Sequence, residues 1–140
     1  EEEYIIPLGV ADVKREGAHV SVITYSRMVL HALAAAEKLA AEGLSVEVVD
    51  LRSLKPLDMD TIVASVEKTG RVVVAYEGYK TGGFGAELIA RINECAFDAL
   101  DAPIVRVAGA DVPVPMAESR ESAAIPGVDA VIAGIREALR

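Results

Sequence analysis

The sequence predicts an α/β fold: an open, mostly parallel sheet with helices on both faces. Three observations carry this. Val72-Val73-Val74-Ala75-Tyr76 is an unbroken apolar, largely β-branched run, the pattern of a strand buried on both faces of a parallel sheet. Gly78-Tyr79-Lys80-Thr81-Gly82-Gly83-Phe84-Gly85-Ala86-Glu87 follows at once, a glycine-rich turn opening into a helical pattern. On either side, strand-like runs and helix-like stripes alternate in the order β-β-α-β-α-β-α-β-loop-α.

Residues 1–9 read as a lead-in segment, with Glu1-Glu2-Glu3 as a linker remnant and Pro7 breaking the Ile5-Ile6-Pro7-Leu8-Gly9 stretch; residues 10–140 read as one domain. Val10 to Arg15 is expected to be an edge strand. Glu16-Gly17 is expected to turn it directly into an antiparallel partner, His19 to Tyr25. Ser26 is expected to cap a helix. In that helix Met28, Ala32, Ala35 and Leu39 form one apolar stripe, and Val29, Leu33, Ala36 and Ala40 a second beside it. Gly43 ends the helix, and Leu44 to Val49 is the next strand, closing at Asp50.

Asp58 is the expected N-cap of a second helix, with Leu57 and Ile62 placed as a hydrophobic staple. Ile62, Val63 and Val66 face inward, Lys68 suits the negative carboxyl end, and Gly70 stops it. The strand from Arg71 to Tyr76 and a helix from about Phe84 to Phe97 follow, the latter burying Ile89, Ile92 and Ala96. Ile104 to Val107 is a short strand. Residues 108–126 read as a long loop, because Pro113, Pro115 and Pro126 block regular structure. Val128, Val131, Ile132, Ile135 and Leu139 at i, i+3, i+4, i+7 and i+11 define the last helix.

With 140 residues, the chain suits one domain, and 52% apolar residues allow a full core. Only 4% is aromatic and there is no Trp, so that core is Val, Ile, Leu and Ala. A formal net charge of −8 disfavours nucleic-acid and anionic-membrane binding and favours a basic partner. The lone Cys95 excludes an internal disulfide framework and fits a reducing, cytoplasmic setting. No apolar run is long enough to span a bilayer.

Candidate chemistry is sparse. The turn at Gly82, Gly83 and Gly85 precedes a helix N-terminus, where backbone N–H groups favour anions. The dinucleotide pattern fails there: Leu88 stands in place of the third glycine, and Asp98 and Asp101 precede the next strand rather than end it. A structural turn is the favoured reading, with an anion site as the alternative. Glu77 ends the central strand and is the candidate acid or base, although capping or pairing is the commoner use of a carboxylate there. His19 and His31 lie on different elements without metal-ligand spacing, and Cys95, expected to be buried or half-buried, has no neighbouring base. No catalytic, cofactor-binding or metal constellation emerges from the residues.

Six strings carry a resemblance. They are Pro7-Leu8-Gly9, Val49-Asp50-Leu51-Arg52-Ser53-Leu54-Lys55-Pro56-Leu57-Asp58, Ser65-Val66-Glu67-Lys68-Thr69-Gly70-Arg71, Gly82-Gly83-Phe84-Gly85-Ala86-Glu87, Leu100-Asp101-Ala102-Pro103 and Asp111-Val112-Pro113-Val114-Pro115. In this order and spacing the chain, from about Ile5 to Leu139, resembles the C-terminal domain of the beta subunit of thiamine-diphosphate-dependent 2-oxo acid dehydrogenases. That family includes the pyruvate, branched-chain and acetoin types. The resemblance implies a transketolase C-terminal-like fold: a three-layer α/β/α sandwich on a five-strand mixed sheet with one antiparallel edge strand.

It also implies a non-catalytic assembly domain. Thiamine diphosphate and Mg²⁺ would bind in parts of the parent enzyme outside this chain. This domain would build the subunit interface, with an alpha subunit and a second copy as partners, and dock the dihydrolipoyl acyltransferase core. Asp101 and the carboxyl end at Arg140 resemble the positions that meet the basic peripheral-subunit-binding domain of that core, and the −8 charge agrees with such a partner. The chain departs from the family pattern at Val10, where Lys is usual, at Met116, where an aromatic is usual, and at Arg120, where Leu is usual. The alternative to this reading is a stand-alone, engineered α/β module that binds a small anion at the Gly82–Gly85 turn. A third, less favoured, is an autonomous enzyme using Glu77.

Overall fold

The computed structural model describes residues 4–140, apart from the side chains of residues 118 and 119. The linker reading of residues 1–3 lies outside the described residues. Five strands form one sheet: β1 (Asp12–Arg15), β2 (Val20–Thr24), β3 (Val46–Asp50), β4 (Val72–Tyr79) and β5 (Val105–Gly109), in the spatial order β1-β3-β2-β4-β5. Pairing is parallel except between β1 and β3. The expected three-layer fold with one antiparallel edge strand is therefore what forms. Among the described residues, no helix is long and apolar enough to cross a membrane.

Helices α1 (Met28–Ala40) and α5 (Val128–Ala138) cover one face, and α2 (Met59–Thr69) and α3 (Phe84–Ala96) the other. Alternation along β4 divides the core. Val73 and Ala75 pack with Met28, Leu39 and Ile135, whereas Val72, Val74 and Tyr76 pack with Ile62, Leu88 and Ile92. Helix α2 begins as its sequence dictates: the Asp58 side chain accepts from Thr61 N at 3.1 Å. It ends at Gly70, whose φ of +65° is the left-handed conformation that a residue with a Cβ adopts only under strain.

Several expectations fail for identifiable reasons. β1 and β2 do not form a hairpin. β2 takes parallel partners on both sides, β3 and β4, and all its residues are buried, so neither edge is left for β1. The connection instead crosses the start of β3: Ala18 N and His19 N donate to Ser45 O at 3.2 and 2.9 Å. A Cβ on Gly17 would strike the backbone of Val46 and Glu47. Ser26 does not cap α1. Its φ is +57°, its carbonyl rather than its hydroxyl accepts from Val29 N, and Arg27 occupies the cap position.

β4 runs three residues beyond the expected end, because Tyr79 pairs with Gly109 and Lys80 N donates to Gly109 O at 3.1 Å. The loop at 108–126 is partly helical: α4 (Glu118–Ala124) fits between Pro115 and Pro126, and Ala110 N donates to Ala124 O at 2.9 Å. On α3 the buried positions are Gly85, Leu88, Ile92 and Ala96, and Ile89, expected on that face, is only partly buried. Cys95 is exposed, one 100° step off that stripe.

Candidate functional site

The parallel strands deliver their carboxyl ends to one rim of the sheet, where sites in open α/β folds gather. Glu77, the candidate acid, lies there, and Arg27 reaches it from the start of α1 at 2.7 Å. The same guanidinium approaches Glu121 of α4 at 4.0 Å. Arg27 therefore ties the end of β4 to α4. Beside it is a cleft of about 400 Å³ lined by Arg27, His31, Glu121, Ile125 and Pro126. The Arg27–Glu77 contact is an ion pair, the pairing use of a carboxylate at a strand end.

Beyond Glu77 the chain enters the glycine turn. Tyr76 explains its composition. The ring lies beneath the turn, fully buried, and a Cβ on Gly83 or Gly85 would collide with it. Steric need thus accounts for these two glycines with no ligand invoked, while Gly82 has open space around it and a φ of +70°. The Tyr76 hydroxyl is buried without a hydrogen-bond partner among the described residues. Tyr25 packs edge-to-face on Phe84 at 6.1 Å between ring centroids, and burial pushes its phenol above the ordinary value, with Tyr76 and Glu77 adding to the effect.

Next to the turn, Thr81 N and the Thr81 hydroxyl donate to Asp111 at 2.9 and 2.7 Å, which holds that carboxyl below its ordinary range. The rim then continues in apolar side chains that reach into solvent. Tyr79 is 46% exposed, Val112 46%, Val114 53% and Met116 103%.

Asp101 is not at this rim. It sits at the opposite end of the sheet, where Asp101 N donates to Gly70 O at 2.7 Å and its carboxylate lies over Gly70. Arg140 lines a long groove with Ala102 and Pro103, the residues that follow Asp101. The structure therefore brings Glu77 and the glycines together at one end and sets Asp101 and Arg140, the positions expected to dock a partner, towards the other.

That second end also holds a network without a local sequence signal. Glu47, 1% exposed, accepts from Ser65 Oγ at 2.6 Å and from Gly17 N at 3.3 Å. Ser65 Oγ meets Ser21 Oγ at 2.7 Å, and Ser21 Oγ meets Thr69 Oγ1 at 2.8 Å. Lys68 pairs with Glu47 and also with Glu16, the latter at 2.6 Å. Donating hydrogen bonds to Glu16, then Glu47, raises the lysine above its ordinary value. Every buried polar atom in this set is satisfied, which marks a structural lock.

Among the described residues, no three His, Cys, Asp or Glu side chains stand close enough to hold a metal ion.

Comparison with known proteins agrees with this geometry. The family model "Transketolase, C-terminal domain" matches residues 9–131. The chain is 50% identical over 139 residues to the pyruvate dehydrogenase E1 component subunit beta of Bacillus subtilis (strain 168), covering 99% of this chain and 42% of that protein. It is 46% identical over 138 residues to the mitochondrial subunit beta-1 of Arabidopsis thaliana, covering 99% and 38%. It spans about two fifths of the length of these relatives. Among solved structures it resembles "Split gene transketolase, inactive beta4 tetramer", with a TM-score of 0.80 and 32% identity over 96% of this chain and 43% of that one. A 2-oxoglutarate:ferredoxin oxidoreductase from Magnetococcus marinus, TM-score 0.63 and 15% identity over 94% of this chain and 19% of that one, shares the fold. By its strand order, its layers and the match over residues 9–131, the chain belongs to the transketolase C-terminal domain family.

Proposed function

We propose that this chain is the assembly domain of a 2-oxo acid dehydrogenase beta subunit. It supplies subunit interface and docks the dihydrolipoyl acyltransferase core, while the parent enzyme carries out the oxidative decarboxylation. The carrying observation is the character of the carboxyl-end rim. Where an α/β enzyme would gather reacting groups, this chain extends Tyr79, Val112, Val114 and Met116 into solvent and ties Glu77 to Arg27. Tyr79 and Val112 line one cleft with Pro113, and an exposed apolar patch of this kind marks a contact between proteins. The half identity to a pyruvate dehydrogenase beta subunit over nearly the whole chain supports the parentage. The likeness to a split-gene transketolase described as a beta4 tetramer supports self-association.

In this reading the partners are a second copy, an alpha subunit and the acyltransferase core, in a cytoplasmic setting. Thiamine diphosphate and Mg²⁺ bind outside the chain, and the lead-in residues 1–9 connect to the rest of the parent. Docking uses the acidic end around Asp101. Its test is a calorimetric titration with a basic peripheral-subunit-binding domain at low salt. Asp101→Lys weakens binding by about tenfold or more, as expected for reversing a charge at a complementary interface. An unchanged affinity removes Asp101 from the docking surface.

A further inference from the structure

The two edges of the sheet are treated differently. β1 is four residues long, bulged between Val13 and Arg15, and carries Asp12, Lys14 and Arg15. Short length, a bulge and charge are the devices that stop an edge from pairing with another chain. β5, at the other edge, has Arg106 as its one charged residue and pairs in regular register with β4 over Val105–Val107. Parallel pairing engages one side of its backbone. The other side has no strand partner among the described residues.

Along that edge runs a groove of about 750 Å³. Ile89 and Ile104 supply apolar floor, and the side chains of Lys80, Arg106 and Arg140 line it together with Glu137. Asp111 also feels the charge of Arg106, but its oxygens are engaged by the N–H and hydroxyl of Thr81. In a chain with a net charge of −8, this groove is a locally cationic strip. The groove adjoins the end at Asp101 through Ala102 and Pro103, but its lysine and arginine side chains suit an acidic partner rather than a basic one.

We propose that the groove receives an extended acidic segment of a partner protein, added to β5 as a further strand. Backbone pairing with β5 supplies the register. Alternate side chains of the segment fall on the apolar floor, and its carboxylates meet Lys80, Arg106 and Arg140.

The test uses a short fluorescent peptide alternating Val and Glu, with a Val and Lys peptide as control, read by anisotropy and by hydrogen exchange of the chain. Saturable binding of the acidic peptide, slowed exchange at Val105–Gly109 and no binding of the basic peptide are expected. Arg140→Glu, at an exposed position, lowers the affinity about tenfold with the thermal midpoint unchanged. Arg106→Glu does the same, although Arg106 also donates to Lys80 O at 3.0 Å and its variant needs the Arg140 comparison. No saturable binding, equal binding of both peptides, or slowed exchange elsewhere overturns the proposal. So does complete displacement by inorganic phosphate, which would reduce the groove to an anion site without strand pairing.

Discussion

The ring of Tyr76 lies directly under Gly85, the second residue of α3, so closely that any side chain at that position would enter it. Gly85 is not in a left-handed conformation, and alanine in a helix is intrinsically better than glycine by about 1 kcal/mol. Packing and propensity therefore predict opposite signs. Gly85→Ala is expected to destabilise the fold by about 1–3 kcal/mol, the cost of overpacking. Tyr76→Phe, which deletes a buried hydroxyl without a partner among the described residues, is expected to raise stability by about 1 kcal/mol. Urea unfolding measures both. A stabilised Gly85→Ala would show that the turn has room above the ring.

Asp58 joins two segments that are far apart in sequence. It caps α2 through Thr61 N and also accepts from Ala11 N at 2.9 Å. Burial pushes its carboxyl up, but the N–H groups of Ala11 and Thr61 and the Thr61 hydroxyl outweigh that and hold it below the ordinary 3.8. Because the native value is the lower one, the unfolded chain takes up the proton first. This contribution is complete above about pH 4 and is lost as pH falls through the native value. Asp58→Ala is expected to cost about 1–2 kcal/mol at neutral pH and to flatten the acid limb of the stability curve. An acid limb of unchanged slope would assign acid sensitivity to other carboxylates.

Lys68 is the cation paired with the buried Glu47. Breaking a fully buried pair by removing one partner costs roughly 3–5 kcal/mol. Lys68 is 40% exposed, so solvent screens part of the interaction and Lys68→Met is expected to cost about 2 kcal/mol. Adding Glu47→Gln, which removes the stranded charge and keeps an acceptor for Ser65, is expected to recover part of that loss. A double variant no more stable than Lys68→Met would show that the carboxylate was not the source of the cost.

Much of the fold was legible because its signals are local. The apolar run at 72–76, the Asp58 cap with Gly70 as stop, and the stripe from Val128 each specify an element within a few turns of chain. The partner of β1 was not, because the choice between β2 and β3 depends on β4 taking the other side of β2. Arg27, Glu77 and Glu121 come from three separate elements, so no spacing announced their meeting at the rim. Nothing in the local sequence around Glu47 signals its burial. Its burial follows from Ser21, Ser65, Thr69 and Lys68 converging on it in space. Helix α4 was hidden by prolines that all lie outside its turns.

The role assigned to the exposed rim is tested most directly by sedimentation equilibrium of the chain across a hundredfold concentration range, beside a Val114→Asp/Met116→Asp variant. The account predicts that the chain associates into dimers or larger species and that the variant shifts towards monomer with its thermal midpoint preserved. A chain that remains monomeric at high concentration, or a variant that associates as strongly as the parent sequence, would contradict it.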